Sequence, residues 1–154
     1  MPIRAGGRRR SAPSELERAR WNVAHGRFER SLAGFTAVAA AITSAEIAIE
    51  HYRASYGHKM MWSPILVAPP VVIAGLAGVR SRRWAKVGLP IASAVYALDG
   101  LAGEYFHARG VARRPGGWRH PTYNVPMGPP ILAPGLMAIV GGLGLLAAVL
   151  RRER

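Results

Sequence analysis

The longest of the uncharged apolar blocks in the chain is MGPPILAPGLMAIVGGLGLLAAVL, residues 127–150. It exceeds the roughly 20 apolar residues that a helix needs to cross about 30 Å of hydrocarbon. Residues 62–79 are also uncharged, and the shorter blocks 31–45 and 87–98 reach the same length if each continues through its acidic residues, to about Tyr52 and His107. The four blocks predict an all-α integral membrane protein with four transmembrane helices.

The basic residues decide the predicted orientation. The chain has 154 residues and a formal net charge of +13, a balance that also occurs in nucleic-acid-binding proteins. Its arginines and lysines, however, cluster directly outside the apolar blocks: eight arginines in residues 1–30, four basic residues between the second and third blocks, and three arginines after the fourth. By the positive-inside rule, both termini and the central loop face the cytoplasm of a bacterial inner (plasma) membrane. The loop 108–126, with four arginines on the outer side, departs from the rule.

Residues 1–30 form a basic arm ahead of the first block. Ser14 and Glu17 have the spacing of a capping box, and apolar residues alternate with charged ones between positions 16 and 28. This pattern predicts a short amphipathic helix, which would lie on the cytoplasmic leaflet with its arginines near anionic head groups. A tail whose arginines only set the topology is the alternative. Because the chain has no cysteine, disulfides, thiolate metal sites and cysteine nucleophiles are excluded.

Residues 31–80 and 81–154 look like two copies of one transmembrane hairpin. In the first half, an apolar block runs into EHYR at 50–53, and the next block begins with SPIL at 63–66. In the second half, the corresponding strings are EYFHAR at 104–109 and PPIL at 129–132. Since each half would start and finish in the cytoplasm, the repeats are predicted to be parallel, about a pseudo-twofold axis along the membrane normal. Coincidence in a composition rich in Ala, Gly and Pro is the alternative.

Six side chains near the outer ends of the first and third blocks form the predicted site. An ionised carboxylate in hydrocarbon costs at least a few kcal/mol, so such a residue normally faces the bundle interior and holds a proton, a metal or a cationic partner. With a rise of about 1.5 Å per residue, the acids and the histidines of the two halves are expected at matching depths. Carboxylates brought together repel one another, so the site should hold protons or a divalent metal. The predicted metal ligands are Glu46, Glu50, His51, Asp99, Glu104 and His107.

Oxygen and imidazole ligands suit iron, manganese or zinc, and iron is the first expectation. Residues 104–107 form a Glu-x-x-His element, which is similar to the metal-binding element of ferritin-like carboxylate proteins. In those proteins, two such elements and two further glutamates on four helices hold a dinuclear site. This sequence has one such element, and its second and fourth blocks have no carboxylate. The resemblance implies a non-haem metal, and a haem held by His51 and His107 is a further alternative.

These residues predict metal-dependent redox chemistry, by a small membrane oxidoreductase or by the metal-bearing subunit of a larger complex. The alternatives are a non-catalytic accessory subunit whose acids pair with a partner's cations, and a proton- or cation-coupled transporter. A simpler interpretation is that the helix-end residues are solvated and paired with Arg53 or Arg109. His58 and His120 are expected in the loops, where they are extra ligands, lid residues or solvated side chains. The expected partners are anionic lipids and either further copies or other membrane subunits, with no nucleic acid.

Overall fold

The computed structural model describes residues 14–25 and 27–151, and this part of the chain is helical with no β-strand. Besides the α-helices it has two single turns of 3-10 helix, over Lys59–Trp62 and Gly117–Arg119, and one π-helical turn over Trp84–Gly88. Residues 1–13 of the predicted basic arm and residues 152–154, which follow the fourth block, lie outside the described residues. The helices are α1 (Glu15–Ala24), α2 (Arg27–Arg53), α3 (Ser63–Arg80), α4 (Leu89–Ala112), α5 (Pro121–Asn124) and α6 (Leu132–Leu150).

The four long helices pack as a ring in which α2 contacts α3 and α6, and α4 contacts α3 and α6. The most extensive contacts are between α2 and α3 and between α4 and α6. The diagonal helices α2 and α4 meet through Tyr96, a fully buried side chain whose hydroxyl lies 2.8 Å from Ser44 Oγ and 3.3 Å from the Ala40 carbonyl oxygen. Val71 and Val140 complete this central layer, so the middle of the bundle is filled by side chains.

Glycines allow the helices of each pair to approach closely. A Cβ atom on Gly75 of α3 would lie 2.8 Å from the Ala33 carbonyl oxygen of α2. A Cβ atom on Gly141 of α6 would lie 2.6 Å from the Ser93 carbonyl oxygen of α4. Backbone contact through small residues is typical of helix packing in membranes, where lipid gives no hydrophobic drive for helices to associate.

The outward faces of the helices are apolar. Leu66 and Leu132 are 71% and 81% exposed, and large apolar side chains such as Ile42 and Ile73 are exposed along the same faces. Soluble monomers rarely expose contiguous apolar surface on this scale. Three helical segments of the described chain are long and apolar enough to span a membrane: Arg27–Arg53, Lys59–Arg80 and Leu132–Leu150. These properties are those of a membrane protein.

Helix α4 is not among these three segments, although it has 24 residues. Asp99 and Glu104 lower its mean hydropathy, but both are half-buried. Its outward side chains are apolar, among them Ile91, Leu98 and Leu101. A fourth membrane-spanning helix therefore stays a prediction.

Two boundaries show how local chemistry sets the helices. The predicted capping box is confirmed: Ser14 Oγ accepts from the Glu17 backbone N–H at 3.2 Å, and the Glu17 carboxylate accepts from the Ser14 N–H at 2.7 Å.

The fourth block, predicted over 127–150, becomes helical only at Leu132. Pro129 and Pro130 have no N–H to donate, and each restricts the residue before it to extended conformations. The chain therefore turns before α6 begins.

Cations close the end of the bundle at which α2 begins and α6 ends, which we call the terminal end. Lys86 Nζ donates to the Ala148 carbonyl oxygen in the last turn of α6 at 2.7 Å. Arg151 Nη1 donates to the Gly78 carbonyl oxygen near the end of α3 at 2.9 Å, and Arg151 is only 2% exposed. Positive charge at helix C-termini complements the helix dipole. These contacts fix α3 and α6 at the terminal end of the bundle.

Candidate functional site

A cavity of about 780 Å³ lies at the opposite end of the bundle, where α2 and α4 finish and α3 and α6 begin. We call this end the histidine end. All four long helices contribute to the cavity wall, together with the segments that lead into α3 and α6. Its apolar lining includes Ile47, Met61, Phe106 and Met137. Cavities of this size, with mostly apolar walls and a few polar groups, are typical of small-molecule sites.

The structure brings four of the six predicted ligands to this cavity: Glu50, His51, Asp99 and His107. Glu46 and Glu104 do not line it. Glu46 is exposed on the outward face of α2. Glu104 is half-buried beside α6, where a Cβ atom on Gly135 would lie 3.5 Å from Glu104 Oε2. Within residues 14–25 and 27–151, no three His, Asp or Glu side chains are close enough together to hold a metal ion as they stand.

The two cavity histidines are anchored in the same way. His51 Nδ1 lies 2.7 Å from the Met61 carbonyl oxygen, and His107 Nδ1 lies 2.8 Å from the Pro130 carbonyl oxygen. A carbonyl oxygen only accepts, so Nδ1 of each ring carries the proton, and Nε2 of the neutral imidazole keeps its lone pair. Metal-binding histidines commonly have their other ring nitrogen fixed by a backbone carbonyl in this manner. Each histidine also ties the end of one helix to the segment leading into the next.

Asp99 of α4 is the deeper carboxylate of the cavity, and its polar neighbours are Ser63 and His51. Asp99 Oδ2 is buried and has no hydrogen-bond partner among the described residues. The Ser63 hydroxyl donates to the Met60 carbonyl oxygen at 2.8 Å. A hydroxyl has only one proton to donate, so Ser63 cannot donate to Met60 and to Asp99 at the same time. Asp99 is therefore poised to hold a proton or a cationic ligand.

Arginines surround the cavity at the end of the bundle. Arg53 donates to Glu50 at 2.5 Å, and both side chains are substantially exposed. This is the arrangement of a solvated helix-end acid paired with an arginine, the simpler interpretation of Glu50. Exposed ion pairs of this kind contribute little stability. Arg109 donates to the Tyr105 hydroxyl at 3.3 Å, and Arg113 also lines the cavity. The surroundings of the carboxylates and imidazoles are thus cationic.

Sequence reasoning offered His58 only as a loop residue that could serve as an extra ligand or a lid, and it missed Ser63 as a cavity residue. His58 lines the cavity, its Nδ1 accepts from the Met60 N–H at 3.2 Å, and its ring lies 6.3 Å from Phe106. Its position five residues before the SPIL string is the only sequence signal for this placement. Ser63 meets Asp99 through the contact between α3 and α4, which no local pattern predicts. His120 is exposed and is not a lining residue.

The connection between α4 and α6 is held by a buried amide. Asn124 is 1% exposed, and its Nδ2 donates to the carbonyl oxygens of Pro115 and Gly117 at 3.0 and 2.8 Å. Gly116 and Gly117 have φ angles of 76° and 48°, left-handed values that favour glycine. This longer loop therefore has a defined conformation.

Comparison of the chain with protein-family models, with curated proteins and with solved structures gave no match.

Proposed function

We propose that the chain is a multi-pass protein of the bacterial inner membrane, with four spanning helices and both termini in the cytoplasm. The apolar outward face of α4 supports the fourth span. Of the 21 arginines and lysines, 15 lie in residues 1–30, 80–86 and 151–154 and six at the histidine end, and this bias supports a cytoplasmic location for the terminal end. The histidine end would then lie at the outer face of the membrane.

The two hairpins are proposed to derive from one duplicated unit. The support is the burial pattern of α3, which recurs in α6. The two patterns are 66 residues apart, so that Gly75 corresponds to Gly141. The buried positions of α3 that have buried counterparts at this spacing are Ala68, Val71, Ala74, Gly75 and Gly78, and those counterparts are Pro134, Met137, Val140, Gly141 and Gly144. A Cβ atom added at Gly75 or at Gly141 would lie within 3 Å of the preceding long helix of the same half.

The proposed function is binding of a non-haem metal ion in the cavity for redox chemistry, by a small oxidoreductase or by the metal-bearing subunit of a larger complex. The observation that carries it is the pair of imidazoles, His51 and His107, which share one cavity and keep Nε2 for a ligand. Asp99 would supply an oxygen ligand, since its Oδ2 has no other partner. Imidazole and carboxylate ligands suit iron first, and manganese or zinc as alternatives.

A second candidate is an organic ligand with hydroxyl or carbonyl oxygens. It is favoured by the volume of the cavity and by lining residues such as Phe106, Met61 and Met137. His51 and His107 would then hydrogen-bond the polar end of the ligand. Transport through one copy of the chain is less favoured, because the layer around Tyr96 fills the bundle beyond the cavity.

Metal analysis of the detergent-purified protein tests the proposal. After incubation with Fe(II), Mn(II) or Zn(II) and desalting, we expect about one bound ion per chain, because one ion is shared by the two imidazoles. His51→Ala and His107→Ala should each lower the metal content, and the double variant should lose less than the sum of the two. His120→Ala is the matched control and should retain the metal.

Three outcomes would contradict this proposal. Wild-type protein without bound metal under all three conditions would refute it and leave the organic ligand, which mass spectrometry of the denatured protein would identify. A Soret band in the optical spectrum would assign the histidines to a haem. Loss of metal from the His120 variant alone would move the site to the connecting loop.

A further inference from the structure

Glu46 is an acidic side chain that faces away from the bundle. It is exposed on α2, whereas the next residue, Ile47, is buried. Its neighbours on the outward face of α2 are Phe35, Ile42 and Ile49, which are 59%, 66% and 49% exposed. Glu46 therefore interrupts a face that is otherwise suited to lipid.

The position of Glu46 along α2 keeps its carboxylate away from the membrane surface. With a rise of about 1.5 Å per residue, Glu46 lies about 24 Å from Arg30 and about 10 Å from Arg53. If these two arginines mark the two interfaces, as proposed above, the carboxylate lies in the outer third of the hydrocarbon. A glutamate side chain is too short to reach the interface from there, and an ionised carboxylate at that depth is costly without a partner.

Nothing else in the described chain satisfies Glu46. It has no hydrogen-bond or ion-pair partner among the described residues. Arg53, the nearest cation along the helix, is bonded to Glu50 instead. A side chain placed in this way needs a donor or a cation from outside the chain.

A second copy of the chain cannot supply that cation. The segments 31–52, 62–79, 87–108 and 127–150 contain no Lys or Arg at all. A twofold dimer through this face would place Glu46 against its own copy, because the same patch meets itself in such an interface. Like charges at close range oppose that arrangement.

We infer that the outward face of α2 around Glu46 is a docking surface for a transmembrane helix of a different protein, one that carries a Lys or Arg in the outer third of the bilayer. Ionisable groups inside membranes normally pair with one another. Phe35, Ile42 and Ile49 would pack against the apolar side chains of that helix, and Glu46 would receive its cation. This inference rests on the membrane topology proposed above but not on the metal site.

Peptide association in vesicles tests the inference. The full-length protein, labelled with a donor fluorophore, is reconstituted into phosphatidylcholine vesicles with an acceptor-labelled transmembrane peptide of Leu and Ala. One peptide carries a single Lys about 10 Å from the end of its apolar segment, and its control carries Leu at that position. We expect the Lys peptide to associate roughly tenfold more strongly, a ratio that corresponds to about 1.4 kcal/mol.

Two variants of the protein make the result specific. Glu46→Gln should abolish the preference for the Lys peptide, whereas Glu50→Gln should retain it, because Glu50 is bonded to Arg53 at the helix end. Unchanged circular dichroism of Glu46→Gln checks that the helices are intact. An unchanged metal content of Glu46→Gln separates this inference from the metal proposal.

Three results would overturn the inference: equal association of the two peptides with the wild-type protein, an undiminished Lys preference in Glu46→Gln, or loss of the preference in Glu50→Gln instead. Self-association would also overturn it. In that case energy transfer would occur between copies of the wild-type protein and would be absent between copies of Glu46→Gln, which would assign this face to a dimer.

Discussion

Replacement of Gly141 by alanine should destabilise the bundle, whereas the same change at Gly142 should not. The new Cβ atom at Gly141 would lie 2.6 Å from the Ser93 carbonyl oxygen and 2.7 Å from Ala97 Cβ, well below the 3.4 Å at which ordinary van der Waals contact begins. Helix α6 would have to move away from α4, and overpacking of this kind costs about 1–3 kcal/mol. Gly142 is exposed and has no neighbouring atom within 4 Å of the new Cβ position. There, alanine should gain up to about 1 kcal/mol from its higher helix propensity.

The free energy of unfolding in mixed detergent micelles, followed by circular dichroism during titration with dodecyl sulfate, measures both changes. We expect Gly141→Ala to be less stable than Gly142→Ala by about 1–3 kcal/mol, which is the strain term alone, because both replacements make the same gain in helix propensity. Gly75→Ala should resemble Gly141→Ala, because its Cβ atom would lie 2.8 Å from the Ala33 carbonyl oxygen. Equal stabilities of the two neighbouring glycine variants would refute the close packing of α6 on α4.

Tyr96→Phe should lower the free energy of unfolding by about 1 kcal/mol, since buried hydrogen bonds between membrane helices contribute on this scale, and the same micelle titration measures it. Combined with Ser44→Ala, it should show a coupling of about 0.5 kcal/mol or more, as expected for side chains in contact; strictly additive losses would contradict the bond between their hydroxyl groups. For the topology, cysteines at Lys59 and Arg119 should react with a membrane-impermeant maleimide from outside intact cells, and a cysteine at Arg83 only after the cells are opened. Reaction of all three from the same side would refute the four-helix arrangement.

The positions of the helices could be predicted from the sequence because charge marks their ends. Helix α3 (Ser63–Arg80) coincides within one residue at each end with the uncharged block 62–79. Helix α2 extends beyond its uncharged block at both ends and includes Glu46 and Glu50. A helix continues through such acids because their backbones hydrogen-bond like any others. The delayed start of α6 depends on two consecutive prolines, which the hydropathy of the block does not register.

The direction in which each acid faces was harder to predict. In a membrane protein both the core and the lipid face are apolar, so the usual amphipathic signal is missing from α2. Side-chain size differs instead: Ala33, Ala37 and Ala40 are buried, whereas Phe35 and Ile42 are exposed. This pattern of small residues inside and large residues outside would have placed Glu46 off the buried stripe. Which helix lies opposite that stripe is a tertiary property, so the sequence predicted one cluster of six ligands where the structure has four at the cavity.

The glycine contact between α6 and α4 has a consequence for biosynthesis. Helix α4 carries Asp99 and Glu104 and is not among the described segments that are long and apolar enough to span a membrane, so if it is the proposed fourth span, on its own it would partition poorly from the translocon into lipid. Helix α6 has no charged residue between Leu132 and Leu150, and its glycine surface fits α4 closely. The two helices would therefore leave the translocon as a pair, and α4 would have to wait there while the ribosome completes the loop and the last helix.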